Sequence, residues 1–381
     1  MKRTYEYRLY PNKTQDNALR RLLEIHRTVY NDALYERREA WNRCHISVNY
    51  YTQANQLREA RTIDPDLAFA NYSSLQQTLR RLNKSFAAFF RRVKNGEKAG
   101  YPRFKPKNRF HSFEYTYNDG CRLQIEPKIR LYIQNVGAVR IKYHRSIPSD
   151  ATINHVVIRR NVGHWYVYLM WEAPDVILST HEGPEVGIDM GLHHLLALSD
   201  GIIIENPRWL KNELADLRVA QRRINRRKKS SRRRRKASFQ VARRHKHISN
   251  RRKDFWHKTT RKLAETYSLI AIEDLNLAFM NRSNTLAQSS YDAALGVFKL
   301  LIAHKAEEAG AQLIKVNPRN TSQICSGCGT IVHKGLSVRI HNCPDCGLIL
   351  DRDVNAARNI LHLARTGPLG ANADARRSCV V

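Results

Sequence analysis

The sequence predicts an α+β protein of several domains. Three observations carry that expectation: strand-type alternation at the N-terminus and again between about residues 112 and 171, helix-type sequence between these stretches, and a further mix of strands and helices beyond residue 185. The 381 residues suffice for two or three structural units, and a hydrophobic content of 42% argues against wholesale disorder.

In order, Thr4–Tyr10 (TYEYRLY) alternates as a strand and is punctuated by Pro11 and Asn12. Thr14 opens a helical stretch with Leu19, Leu22, Leu23, His26 and Tyr30 near helical spacing. Helix-type sequence runs on to about Lys94, where Leu75, Leu79, Leu82, Phe86 and Phe90 form an expected apolar stripe. Gly and Pro in NGEKAGYPRFKPKNRF end it. The short runs RLYIQ, AVRIKY, NHVVIRR and HWYVYLMW fit a small antiparallel barrel or sheet. Residues 174–184 read as a linker. EVGIDMGLHHLLALSDG then reads as strand, turn and strand. Two helices are expected between Trp209 and Tyr267 around a Ser230–Ser231 break, striped by Leu210, Leu214, Leu217 and Ile224 and by Phe255, Thr259, Leu263 and Tyr267. YSLIAIEDL is a buried-type strand, a helix is expected over about Ala293–Ala309, and DRDVNAARNILHLA closes the ordered chain as a helix.

The charge balance narrows the partners. Lys+Arg 66 against Asp+Glu 34 gives a formal net charge of +32. So much like charge repels itself in a compact fold unless a polyanion neutralises it, and nucleic acid is the expected partner. No apolar run approaches the roughly 20 residues of a membrane span, and MKRTYEYRLYPNKTQ lacks the apolar block of a signal peptide. With 7 cysteines, an odd count, a disulfide framework is not expected and a reducing cytosol is.

Four of those cysteines form two CxxC pairs, Cys325/Cys328 and Cys343/Cys346, each followed by glycine. Two such turns supply four tetrahedral sulfur ligands, the pattern of a structural zinc site with no open position. His333 and His341, between the pairs, are therefore not expected as ligands. Three acids stand out beside them. Asp189 ends a short apolar strand, Glu273 follows four apolar residues, and Asp353 lies at a helix start. Singly, each also fits a structural role: turn former, strand-end charge, or an N-cap at Asp351 or Asp353. Brought together, three carboxylates would suit two Mg²⁺ ions and phosphodiester hydrolysis. A third feature is the density of cations in the expected helical hairpin: Arg226, Arg227, Lys228, Lys229, Arg232, Arg233, Arg234, Arg235, Arg243, Arg244, Arg251 and Arg252. A nucleic-acid backbone would neutralise them.

The order GIDMG…LSDG, AIEDLNL, TSQICSGCG, CPDCG, DRDVNAARNIL, with RLYPNKTQ, LQQTLRRLNKSFAAFFRRVK and GYPRFK before it, resembles TnpB, the transposon-encoded RNA-guided nucleases related to type V CRISPR effectors. The resemblance covers nearly the whole chain. It implies a wedge-type β-barrel (1–12 and 100–180) with an inserted helical recognition lobe (13–99). An RNase H-like RuvC nuclease domain (183–320 and 348–366) follows, with a zinc-ribbon insertion (321–347) and a flexible tail (367–381). It also implies Asp189, Glu273 and Asp353 as the Mg²⁺-binding catalytic acids. The implied partners are a guide RNA from the transposon end and double-stranded DNA cut beside a short motif, with one protein per RNA in a prokaryotic cytoplasm. Base pairing would supply sequence specificity. Tyr51, Tyr72 and Gln76 are the candidates for reading the adjacent motif. A guided binding protein without cleavage is the alternative, which three intact acids disfavour. A strand-transferring transposase is disfavoured because His245-Lys246-His247 lacks the apolar middle residue of the expected metal pair. A plain zinc-ribbon binder leaves the acids unexplained.

Overall fold

The first strand and helix are joined by local chemistry visible in the sequence. In a computed structural model of the chain, which describes residues 2–174, 182–282, 286–335 and 337–367, β1 (Lys2–Tyr10) leads through Pro11 into α1 (Lys13–Cys44). Asn12 caps that helix reciprocally with Gln15, satisfying two backbone N–H groups that the first turn would leave open. The chain divides into two compact units, 1–176 and 177–381.

In the first unit, α2 (Tyr50–Ile63), α3 (Pro65–Phe69) and α4 (Tyr72–Lys94) follow α1. Then come β2 (Ser112–Thr116), β3 (Cys121–Gln124), β4 (Arg130–Ile133), β5 (Gly137–Lys142), β6 (Thr152–Asn161) and β7 (His164–Glu172). The strands form one antiparallel sheet in the order β2-β6-β7-β1-β5-β4-β3. Its edge strands β2 and β3 are joined by residues 117–120 alone. That link spans at most about 18 Å at about 3.6 Å per residue, whereas six spacings of a flat sheet need about 29 Å. The sheet therefore curls on itself, as the barrel expectation requires.

Leu19, Leu22, Leu75, Leu79 and Leu82 of the helices share one core with Phe113, Tyr115, Ile133, Val139 and Val167 of the sheet. The expected α4 stripe holds through Phe86 but not at Phe90, which is 60% exposed. At 100° per residue Phe90 has turned about 60° from Leu75.

In the second unit, β8 (Glu185–Met190), β9 (His194–Leu198) and β10 (Ile203–Glu205) form an antiparallel meander. α5 (Trp209–Asn225) and α6 (Arg232–Thr266) make the expected hairpin, and Ser231 caps α6. After β11 (Leu269–Glu273) come α7 (Ala278–Arg282), α8 (Ala287–Ala293), α9 (Leu295–Ala309), β12 (Gln312–Val316), β13 (Ile340–Asn342), β14 (Ile349–Asp351) and α10 (Arg352–Thr366). The sheet order is β10-β9-β8-β11-β12, with β11 parallel to both β8 and β12.

Both faces of this sheet are covered. Val186, Ile188, Ile270 and Ile272 pack with Trp256, Phe298 and Ile302 of α6 and α9, while Leu269, Ala271, Ile314 and Val316 pack with Ile360 of α10. This three-layer, mixed-sheet arrangement is RNase H-like, the fold class expected from the sequence.

The helix expected over about Ala293–Ala309 is α9, which starts at Leu295 because Ala294, in a left-handed φ of 54°, separates it from α8. Of the expected linker, residues 175–181 lie outside the described residues, as do 368–381 of the expected tail. Among the described residues, no helix is long and apolar enough to cross a membrane.

Asp292 ties three of these helices together. It is 5% exposed, accepts the Leu210 N–H at 2.9 Å and the Lys211 N–H at 3.3 Å from α5, and pairs with Arg252 of α6 at 2.9 Å. Asp292→Ala is expected to cost about 3 kcal/mol, because it leaves a largely buried guanidinium without its counter-charge. Urea unfolding of this variant checks the value.

Candidate active site

The period-2 alternation of β8 sends Gly187 and Asp189 to one face and Val186 and Ile188 to the other. The register pairs Ile188 with Ile272, so the next residues, Asp189 and Glu273, lie side by side at the same end of adjacent strands. Gly187 faces α10 at a separation only glycine permits. A Cβ there would sit 2.0 Å from the Ala357 carbonyl oxygen and 2.7 Å from the Leu361 nitrogen. One turn before Ala357 on α10 stands Asp353. The close approach of helix to strand thus brings the third acid over the first two.

The alternative structural roles of the acids can now be separated. Asp351 is the N-cap of α10, accepting the N–H groups of Asp353 at 2.8 Å and Val354 at 3.2 Å. The Asp353 side chain is left free of capping and lies 3.9 Å from Arg339. Asp189 is inside a strand rather than in a turn. Glu273 is 7% exposed and accepts a 2.5 Å hydrogen bond from the Thr321 hydroxyl.

The other two carboxylates act on Asp189. Burial, then Glu273 and Asp353, push the Asp189 pKa up to about 8 against the opposing pull of the Met190 backbone and Arg352. Burial also raises Glu273, opposed by the Thr321 hydrogen bond and by Lys299. Lys299 is held at the Leu275 carbonyl at 3.0 Å and near Asp274 at 3.6 Å. Crowded, partly desolvated carboxylates of this kind suit a hard divalent cation, which would relieve their repulsion.

The cysteine pairs converge as their spacing predicts. The Sγ atoms of Cys325, Cys328, Cys343 and Cys346 lie within 4.8 Å of one another, with Cys325–Cys346 at 3.6 Å and Cys328–Cys343 at 3.5 Å. Sulfurs around one zinc at about 2.3 Å stand about 3.8 Å apart. Each turn closes through a positive-φ glycine, Gly329 at 82° and Gly347 at 70°. The Thr330 backbone N–H pulls the Cys328 thiol down to about 6. Despite the Leu348 backbone N–H, hydrogen bonding to Cys328 and the other sulfurs pushes Cys346 up to about 12. His341 is fully buried and bonds Lys334 rather than joining the sulfurs.

Residues 172–284 match the family described as "Probable transposase" (OrfB_IS605), 296–360 a "Cas12f1-like, TNB domain", and 1–45 the "Helix-turn-helix domain" of the OrfB_IS605 group. Over 123 residues, 31% of this chain and 24% of the other, it is 33% identical to "TnpB-like protein L79" of Acanthamoeba polyphaga mimivirus. Over 368 residues, 95% of this chain and 89% of the other, it is 34% identical to a protein of Streptomyces pristinaespiralis named "Putative RNA-guided DNA endonuclease". The chain belongs to the TnpB family. Its fold is also similar to that of "the mini-RNA-guided endonuclease CRISPR-Cas_phi3", with a TM-score of 0.50, 10% identity, and coverage of 97% of this chain and 93% of that one. In this TnpB-family chain the segment matching the helix-turn-helix description is one strand and one continuous helix, β1 and α1.

Arg226, Arg227, Lys228, Lys229, Arg232, Arg233, Arg235, Arg243 and Arg251 are exposed at the α5–α6 turn and along α6. Some of the expected nucleic-acid contacts also bond within the protein. Arg234 donates to the Ile224 and Arg227 carbonyls, Arg244 pairs with Asp216 at 2.7 Å and Glu213 at 3.4 Å, and Arg252 pairs with Asp292. Helix-hairpin geometry brings these groups into reach, which charge density in the sequence does not reveal.

Of the candidates for reading the adjacent motif, Tyr51 is 75% exposed. Gln76 is half-buried on α4, and half-buried Tyr72 packs under Arg61.

Sequence reasoning did not single out Gly187, Thr321, Asn355 or Asn359. The glycine of GIDMG and the asparagines of DRDVNAARN stood in the motifs, but what they touch depends on the fold.

Proposed function

We propose that this chain is an RNA-guided, Mg²⁺-dependent endonuclease that cuts double-stranded DNA next to a short target-adjacent motif. The observation that carries this reading is the meeting of Asp189, Glu273 and Asp353 at one end of a mixed sheet, where Glu273 and Asp353 both raise the cost of ionising Asp189. The names of the family relatives, "RNA-guided DNA endonuclease" among them, support the reaction class.

In this reading the three acids would hold two Mg²⁺ ions. When bound, Mg²⁺ lowers the pKa of an attacking water and stabilises the leaving oxygen. The chain's own part is to keep the acids converged: Thr321 fixes the Glu273 carboxylate, Asp351 absorbs the capping duty that would draw Asp353 away, and α10 sets the height of Asp353 above β8. The exposed hairpin cations would neutralise the backbone of guide RNA or target, while base pairing supplies the sequence. Tyr51, Tyr72 and Gln76 are proposed to read the adjacent motif.

The proposed domain division is a wedge barrel at 1–12 and 100–180 and a helical lobe at 13–99. The nuclease domain would take 183–320 and 348–366, with the ribbon at 321–347. One zinc ion would sit on the four cysteines and, with its shell closed, serve structure alone. Metal analysis of the purified chain is therefore expected to return one zinc per chain, and Cys343→Ser should lose it.

The direct test is to purify the ribonucleoprotein, sequence the copurifying RNA and offer a matched duplex. Cutting in Mg²⁺ and none in EDTA is expected. Full target occupancy with no strand scission in Mg²⁺ would overturn the nuclease reading in favour of a guided binding protein.

A further inference from the structure

A continuous hydrogen-bond path runs from the first cysteine turn to the buried acid of β11. Inside Cys325–Cys328, the Ser326 N–H donates to Asn355 Oδ1 at 2.9 Å, and Asn355 Nδ2 donates to the Ile324 carbonyl at 2.8 Å. One turn along α10, Asn359 Nδ2 donates to that same carbonyl at 2.7 Å and to the Thr321 carbonyl at 2.8 Å. The Thr321 hydroxyl ends the path by donating its single proton to Glu273 Oε1 at 2.5 Å, nearer than the competing Pro318 carbonyl at 3.1 Å. Every side chain on the route is buried: Asn355 and Thr321 are at most 2% exposed, Asn359 and Glu273 7%. Water cannot substitute freely for a bond broken there, so a lost donor leaves an acceptor unsatisfied.

We propose that Thr321 is a positioning residue that fixes the Glu273 carboxylate and couples it, through Asn359 and Asn355, to the four-cysteine module. This rests on the reading of Glu273 as a metal-holding acid. Two of its rotatable bonds would otherwise let the carboxylate leave the position shared with Asp189, whereas a buried hydroxyl donating to Oε1, on a residue whose carbonyl is held by Asn359, keeps it in place. The coupling also gives the cysteine module a role beyond local folding, since the loop 321–326 is tied at one end to the sulfurs and at the other to the acid.

The test uses the full chain with its bound RNA and Mn²⁺ as the probe. Mn²⁺ affinity is measured directly, and cutting is measured against Mg²⁺ concentration. Thr321→Val is expected to weaken Mn²⁺ binding and raise the Mg²⁺ midpoint by about 10–100-fold, the range carried by outer partners of metal ligands. Thr321→Ser, which keeps the hydroxyl, should recover most of both. Asn355→Ala, which cuts the path at the cysteine end without touching Thr321 or Glu273, should shift both in the same direction by less.

Thr321→Val with unaltered Mn²⁺ affinity, or Thr321→Ser as impaired as Thr321→Val, would overturn the positioning role. Asn355→Ala without effect would overturn the coupling. If Thr321→Val melts out of the fold, Thr321→Ala carries the same expectation. Mn²⁺ binding that survives Asp189→Ala would sink the metal-site reading itself, an outcome distinct from failure of the relay.

Discussion

Gly187→Ala is expected to destabilise the second unit by at least about 3 kcal/mol and to abolish cutting in whatever fraction still folds. The added Cβ would meet the Ala357 carbonyl oxygen at 2.0 Å and the Leu361 nitrogen at 2.7 Å. Both are helix backbone, so no side-chain rotation relieves the clash, and α10 must move away from β8. Overpacking of a well-packed core commonly costs about 1–3 kcal/mol even where side chains can give; here they cannot. Because Asp353 rides on α10, the same displacement lifts it from Asp189 and Glu273. Gly100→Ala is the control: a Cβ there meets nothing within 4 Å, and its unfolding curve should match the parent's. A Gly187→Ala protein with parental stability and activity would contradict the described helix–strand contact.

Asp189→Asn is expected to lower guided cutting by more than about 100-fold, since outer partners of metal ligands already carry 10–100-fold, while target binding persists. The same change should stabilise the chain when no divalent cation is added. With its pKa pushed up to about 8 in the fold, Asp189 keeps its proton between that value and its ordinary value near 4, where the unfolded chain has lost it. The folded state then binds more protons, so stability falls as pH rises through this window and the contribution is gone above about 8. Asparagine has no such proton to lose. With no divalent cation added, so that the structural zinc stays bound, the melting temperature of Asp189→Asn should therefore exceed the parent's by a margin that grows from pH 5 to pH 8. Saturating Mg²⁺ should close the gap. A margin that shrinks with rising pH would contradict the crowding of the three acids.

Much of the fold was readable because its causes are local. β1, the strands from β4 to β7, and the break at Ser230–Ser231 each follow from residues a few positions apart. The misses share another cause. Phe90 falls on the apolar stripe but outlasts the core beneath it. Arg252 looks like its basic neighbours until Asp292, forty residues away, comes into reach.

The α+β class, the cationic surface and the four-sulfur site were determined by the sequence itself. A CxxCG turn aims two thiolates with its own backbone, and two such turns lie within residues 325–346. The convergence of Asp189, Glu273 and Asp353 was decided by tertiary structure alone. It requires β8 and β11 to pair in parallel and α10 to lie against Gly187, contacts between segments with no local means of finding one another. Thr321 is the sharpest case: its hydroxyl is ordinary in the sequence, and only burial against Glu273 gives it an acceptor it cannot trade for water.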